Sequence, residues 1–140
     1  MSTLTEAITL GDFAKAKQFA AQYDLKTLED ELFLLAYDEG SIAPYGFVCA
    51  MLIEKETSRW HYIASILLSM AINHLDGAYF TAFYHAKRAS ELSPDDSSYK
   101  EALLFYYEIP EQPLSREEAL KIATEMLRED PKNKAAKRIK

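Results

Sequence analysis

Cysteine, glycine and long apolar runs are what this sequence has least of. One cysteine, Cys49, stands among 140 residues, so no internal disulfide framework can form, and a reducing compartment suits the chain. Its neighbours Phe47, Val48, Ala50 and Met51 are apolar, which predicts a protonated, inert thiol. The four glycines each punctuate or interrupt a helix, and no Gly-rich phosphate loop exists. The three histidines, His61, His74 and His85, have no i,i+3 or i,i+4 spacing, and neither HExxH nor ExxH occurs. No metal or cofactor is therefore expected, and His61 beside Trp60 reads as a packed or interfacial histidine. Apolar runs fall far short of the roughly 20 residues that span a bilayer. Met1-Ser2-Thr3-Leu4 lacks the pattern of a signal peptide and leads straight into a helix start. These absences together predict a cytoplasmic, soluble chain with no membrane partner.

Charge is also scarce in one sign. Residues 1–56 carry four basic and ten acidic side chains, residues 57–114 four and seven, and residues 115–140 eight and five. An acidic body argues against nucleic acid as a partner, because phosphate contacts need clustered Lys and Arg. The basic tail (Lys132, Lys134, Lys137, Arg138, Lys140) reads as a solvated terminal helix with cations near its negative dipole end. The carboxylate runs Glu29-Asp30-Glu31 and Asp38-Glu39 read as solvated helix faces.

What the chain does have is helix signals. With 49% hydrophobic residues it can bury one core, and one domain over residues 1–140 is expected. Thr3 with Glu6 has capping-box spacing, and a short helix near Leu4 ends at Gly11-Asp12. A second runs from Phe13 to Tyr23. A third follows to about Glu39 on the stripe Leu28, Leu32, Leu35 and Ala36. Pro44 opens a fourth, and Thr57 or Ser58 caps a fifth from Arg59 to His74 that is apolar nearly all round. The sixth, between Gly77 and Pro94, carries Ala82, Ala86 and Ala89 as one narrow small-residue stripe, with Tyr79, Phe80, Phe83 and Tyr84 beside it for burial. Ser98 with Glu101 caps a seventh, Ser115 with Glu118 an eighth, and Asp130-Pro131 opens a ninth. No strand-like alternation is long enough to count.

The order Ala82, Ala86, Ala89, Leu92, Pro94 resembles the second helix of a tetratricopeptide (TPR) repeat. Ala119, Ala123, Met126 and Pro131 repeat it, and Gly11, Phe13, Ala16 and Ala20 give a third match. Pro94 and Pro131 lie 37 residues apart, against about 34 for a TPR repeat. The Trp–Leu–Gly–Tyr-like signature of the first helices is missing, and residues 25–55 have no match. The resemblance implies an all-α fold of antiparallel helical hairpins stacked as a short right-handed superhelix. It also implies a non-enzymatic module that takes a protein, a peptide or a partner helix in its groove. The clamp residues for chaperone tails are absent, since the face around Leu67, Leu68 and Ala71 is apolar. Carried onto this chain, the groove candidates are His74, Glu101, Phe105 and Glu108. The acidic half supports a different reading, an immunity- or antitoxin-like inhibitor of a basic toxin enzyme. An enzyme comes third, for want of any catalytic spacing, and a homodimer stays open as an arrangement.

Overall fold

The computed structural model describes residues 3–139; the expected start at Met1-Ser2 and the last cation of the tail, Lys140, lie outside the described residues. Within them the chain is all-α. Its helices are α1 (Leu4–Thr9), α2 (Phe13–Ala20), α3 (Leu25–Glu39), α4 (Ala43–Glu54), α5 (Ser58–Ile66), α6 (Ala78–Leu92), α7 (Ser97–Glu108), α8 (Arg116–Glu129) and α9 (Lys134–Ile139). A π-helical segment, Leu67–Ala71, continues α5.

Side-chain caps set most of the helix starts. The Glu6 N–H donates to Thr3 Oγ1 at 3.2 Å, Thr27 N–H to Asp24 Oδ1 at 2.7 Å, and Glu118 N–H to Ser115 Oγ at 3.2 Å. Each bond satisfies a backbone donor that the first turn leaves open. At α7 the cap differs from the expected Ser98–Glu101 box. Asp96 is the capping residue, accepting from Ser98 N–H at 3.0 Å, because a carboxylate two residues upstream reaches the same open donors. The ninth helix starts at Lys134 rather than at Pro131, where Asn133 Oδ1 takes the Ala136 N–H at 2.9 Å. The second helix stops at Ala20 instead of Tyr23, and its last residues form a turn.

The fifth helix is not regular to His74. It loosens after Ile66, and Ile72 N–H bonds the carbonyl of Leu67 at 3.0 Å, five residues back. Ser65 Oγ donates to the Tyr62 carbonyl and Asn73 Nδ2 to the Ser69 carbonyl, so side chains take backbone acceptors around the widened turn. Leu67, Leu68 and Ala71, expected on a groove face, are instead buried in the core, because their segment packs between α3 and α6.

One core cluster runs from Leu4 to Ile139. Its most extensive packing joins α5 to α6. Ala82, Ala86 and Ala89 are 0%, 2% and 0% exposed, and with no side chain beyond Cβ they admit the facing helix closely. Ser58 Oγ on α5 reaches the Ala89 carbonyl of α6 at 2.9 Å. The flanking aromatics divide: Phe83 packs against the core, whereas Phe80 and Tyr84 are each 57% exposed, contrary to their expected burial. Tyr84 nonetheless keeps edge contacts with the His61 and His85 rings. Ala86→Leu is expected to destabilise by roughly 1–3 kcal/mol, since extra volume in a close contact forces the backbones apart. A urea titration that leaves Ala86→Leu at the parent midpoint would contradict the contact.

Two glycines matter to the packing. Gly77 enters α6 at φ +79, left-handed backbone that a side chain would strain. Gly46 lies inside α4 because a Cβ there would sit 3.2 Å from Phe13 Cζ. That close approach seats Phe13 edge-on against Phe47, with ring centroids 5.9 Å apart.

Candidate functional site

Two places gather polar and aromatic side chains, and α5 contributes to both. The first is a cleft between α5 and α7. A cavity of about 450 Å³ is walled by Arg59 and Tyr62 from α5 and by Asp96, Tyr99, Glu101 and Ala102 at and along α7. A second, of about 190 Å³, is walled by Ile66 and Met70 on one side and by Ala102, Phe105 and Tyr106 on the other, with Tyr62 between. Tyr62 and Ala102 line both, so the two cavities are neighbours along the α5–α7 cleft, one at its polar end and one at its apolar end. Tyr62 and Tyr99 face each other across the polar end with centroids 5.9 Å apart. Arg59 ion-pairs with Glu29 of α3, which holds the polar wall in place. At the apolar end the Tyr106 hydroxyl lies by Ser65 and Ser69, and burial pushes its titration up.

The structure distributes the expected groove residues unevenly. Glu101 lines the polar cavity and is exposed, with Asn133 Nδ2 3.4 Å away. Phe105, one turn on, lines the apolar cavity and packs on Tyr79 and Tyr106. Glu108 is engaged elsewhere: Arg138 of α9 bonds it at 3.2 and 3.3 Å. His74 lies in the exposed turn before α6 and lines neither cavity. Residues missed from the sequence are Tyr62, Tyr99, Ile66 and Met70, which sit on α5, its π-helical continuation and α7, whose register the alanine stripes of α6 and α8 alone do not fix.

The second place is a row of hydrogen-bonded side chains across α4, α5 and α6. Tyr45 Oη lies 2.8 Å from His85 Nε2, His85 Nδ1 2.9 Å from His61 Nδ1, and His61 Nε2 2.7 Å from Glu56 Oε2. Arg88 closes the row on Glu56 at 3.1 and 3.2 Å. The carboxylate end fixes the tautomers. Glu56 accepts, so His61 Nε2 donates; a neutral His61 then accepts at Nδ1 from His85 Nδ1–H, and His85 Nε2 accepts from the Tyr45 hydroxyl. His61 and His85 are 3% and 5% exposed, and the close α5–α6 contact that the alanine stripe permits brings their rings together. Burial, and then the charge on His61, drives the His85 imidazole down to about 4. Hydrogen bonds from Arg88, then from His61, hold the Glu56 carboxyl below its ordinary range. Burial, with the Cys49 thiol beside it, pushes the Tyr45 hydroxyl well up.

The histidine row borders a cavity of about 500 Å³, whose walls include Cys49, Ile53, Glu56 and Tyr84. Cys49 is thus half-buried at the edge of this cavity rather than sealed in an apolar helix interior, because α4 carries it on the face that bears Tyr45. Among the described residues no group of His, Cys, Asp and Glu has the arrangement to hold a metal ion. No helix among them is long and apolar enough to cross a membrane. Comparison of the chain with protein-family models, with curated proteins and with solved structures finds no match.

Proposed function

We propose that this chain is a non-enzymatic, cytoplasmic binding module of TPR-like build that takes a short peptide or partner helix in the α5–α7 cleft. The observation that carries the reading is the pair of adjacent cavities, one polar and one apolar, that Tyr62 and Ala102 both line. In stacked helical hairpins the first helices line the concave face, and α5 and α7 hold those places in successive hairpins. The packing of each helix from α4 to α9 on the next in the chain supports the same build. The cleft's chemistry names its occupant. An apolar or aromatic side chain fills the end formed by Ile66, Met70 and Phe105, and a basic residue beside it meets Asp96 and Glu101.

Binding is preferred to catalysis because the histidine row consumes its own chemistry. Both ring nitrogens of His61 and both of His85 are held within the row, so neither imidazole has a nitrogen left for a substrate in the adjoining cavity. The inhibitor reading retains one supporting feature, a hollow of about 210 Å³ on α3 bordered by Glu31, Asp38 and Glu39. Of the carboxylates nearby but outside the hollow, Glu29 is tied to Arg59 and Asp30 to Lys26.

A random peptide library displayed on phage and panned on the full chain tests the reading. Selected peptides are expected to carry an aromatic or aliphatic residue close to Lys or Arg. Phe105→Ala is expected to weaken them by about 2 kcal/mol, and Glu101→Lys by more than charge reversal at Lys132 or Lys134. If reversing Glu31, Asp38 and Glu39 abolishes binding while Phe105→Ala leaves it intact, the acidic face is the binding surface and the cleft is not.

A further inference from the structure

Independently of the cleft, we propose that the Tyr45–His85–His61–Glu56 row is a proton-counting latch, which holds α4 on the α5–α6 pair with one added proton and releases it on the second. The geometry sets the count. With no added proton every hydrogen bond in the row points toward Glu56. One added proton is accommodated by reversal. His61 then donates from both nitrogens, to Glu56 and to His85 Nδ1, while His85 Nε2–H turns to donate to the Tyr45 oxygen. No bond is lost, and the new charge lies against a carboxylate. A second proton cannot be taken this way, because both Nδ1 atoms would carry hydrogens and point them at each other across 2.9 Å. Two imidazolium charges would also share a site that is almost closed to water.

The row is the right shape for a latch because each helix contributes to it. Tyr45, with Cys49 beside it, comes from α4, Glu56 from the loop that follows, and His61 from α5. His85 comes from α6, with Tyr84 edge-on to both histidine rings and Arg88 acting through Glu56. When the two imidazoles part, Tyr45 loses its partner and α4 loses its polar tie to α6. A reporter stands at the same junction. Trp60, the sole tryptophan, packs from α5 edge-on against Phe47 of α4, with centroids 6.3 Å apart. The downward displacement of the His85 titration fits the order of events, with the second proton entering in the acid range.

The test is an acid titration of the full chain, followed by Trp60 fluorescence, far-UV circular dichroism and nitrogen NMR of the histidine side chains. Uptake of the first proton by the pair is expected to leave Trp60 emission unchanged. The second is expected to bring a red shift while helical dichroism persists. His85→Gln retains hydrogen-bonding capacity but cannot charge, and is expected to abolish the red shift. Tyr45→Phe removes the oxygen that accepts from His85 Nε2–H once the row has reversed, which weakens the charged form, and is expected to move the red shift down by about one pH unit. It serves as the second probe should His85→Gln fail to fold. Uptake of both protons with Trp60 unmoved would overturn the latch. So would loss of helix in the same step as the red shift, or variants that shift at the wild-type pH.

Discussion

Phe47→Ala is expected to destabilise the protein by about 3–5 kcal/mol, the range for removing a fully enclosed aromatic ring from a core. Phe47 is 0% exposed and is the hinge of a three-ring stack. Phe13 of α2 and Trp60 of α5 each meet it in a T-shaped contact, at 5.9 and 6.3 Å between centroids. Gly46 next to it admits the Phe13 ring and leaves no spare side chain to fall into the space. The site therefore collapses poorly, which places the loss toward the upper part of the range. Equilibrium denaturation in guanidinium would show it as a lower midpoint with an unchanged slope. A loss below about 1 kcal/mol would mean that the α2–α4–α5 stack is not the junction described.

The second large effect is acid destabilisation through His85. Its folded-state value of about 4 lies below the ordinary 6.5, so between these values the unfolded chain binds the proton and the folded chain does not. Stability is thus full above about 6.5 and is lost as the pH falls toward 4. At about 1.4 kcal/mol per pK unit the whole loss is on the order of 3 kcal/mol. His85 is 5% exposed, so little of this is screened. Carboxylates also lose stability in acid, Glu56 among them, so the comparison that isolates His85 is wild type against His85→Gln. The gap between their pH slopes is expected to open below pH 6.5 and close near 4. Parallel slopes across that window would contradict the buried neutral histidine.

Much of this architecture is legible from residue spacing. The Ala82–Ala86–Ala89 stripe identifies the close α5–α6 contact, since three- and four-residue steps on a helix can mean only one face. Ser115 with Glu118 marks the start of α8 to the residue. The π segment is hidden because Leu67, Leu68 and Ala71 satisfy a helical apolar pattern whether the turn is regular or widened. Glu101 and Phe105 fall in the cleft because they lie one turn apart on α7, whereas Glu108 turns toward α9 and meets Arg138. The histidine row is invisible to any test of local spacing, since His61 and His85 are 24 residues apart on two helices. A signal was present: His85 falls three residues after Ala82 and four before Ala89, on the stripe itself. His61 falls three after Ser58 and four before Ser65, on the facing stripe of α5. Imidazoles on two stripes that pack together have no course but to meet.

The most direct test of the binding reading is a residue-level map of where a selected peptide sits. The tightest peptide from the phage library would be titrated into the isotopically labelled full chain and followed by amide and side-chain NMR shifts. The cleft account predicts that the largest shifts gather at Tyr62, Ile66, Ala102 and Phe105, with a basic residue of the peptide close to Glu101. Shifts centred on Glu31, Asp38 and Glu39 of α3, with α5 and α7 silent, would contradict it.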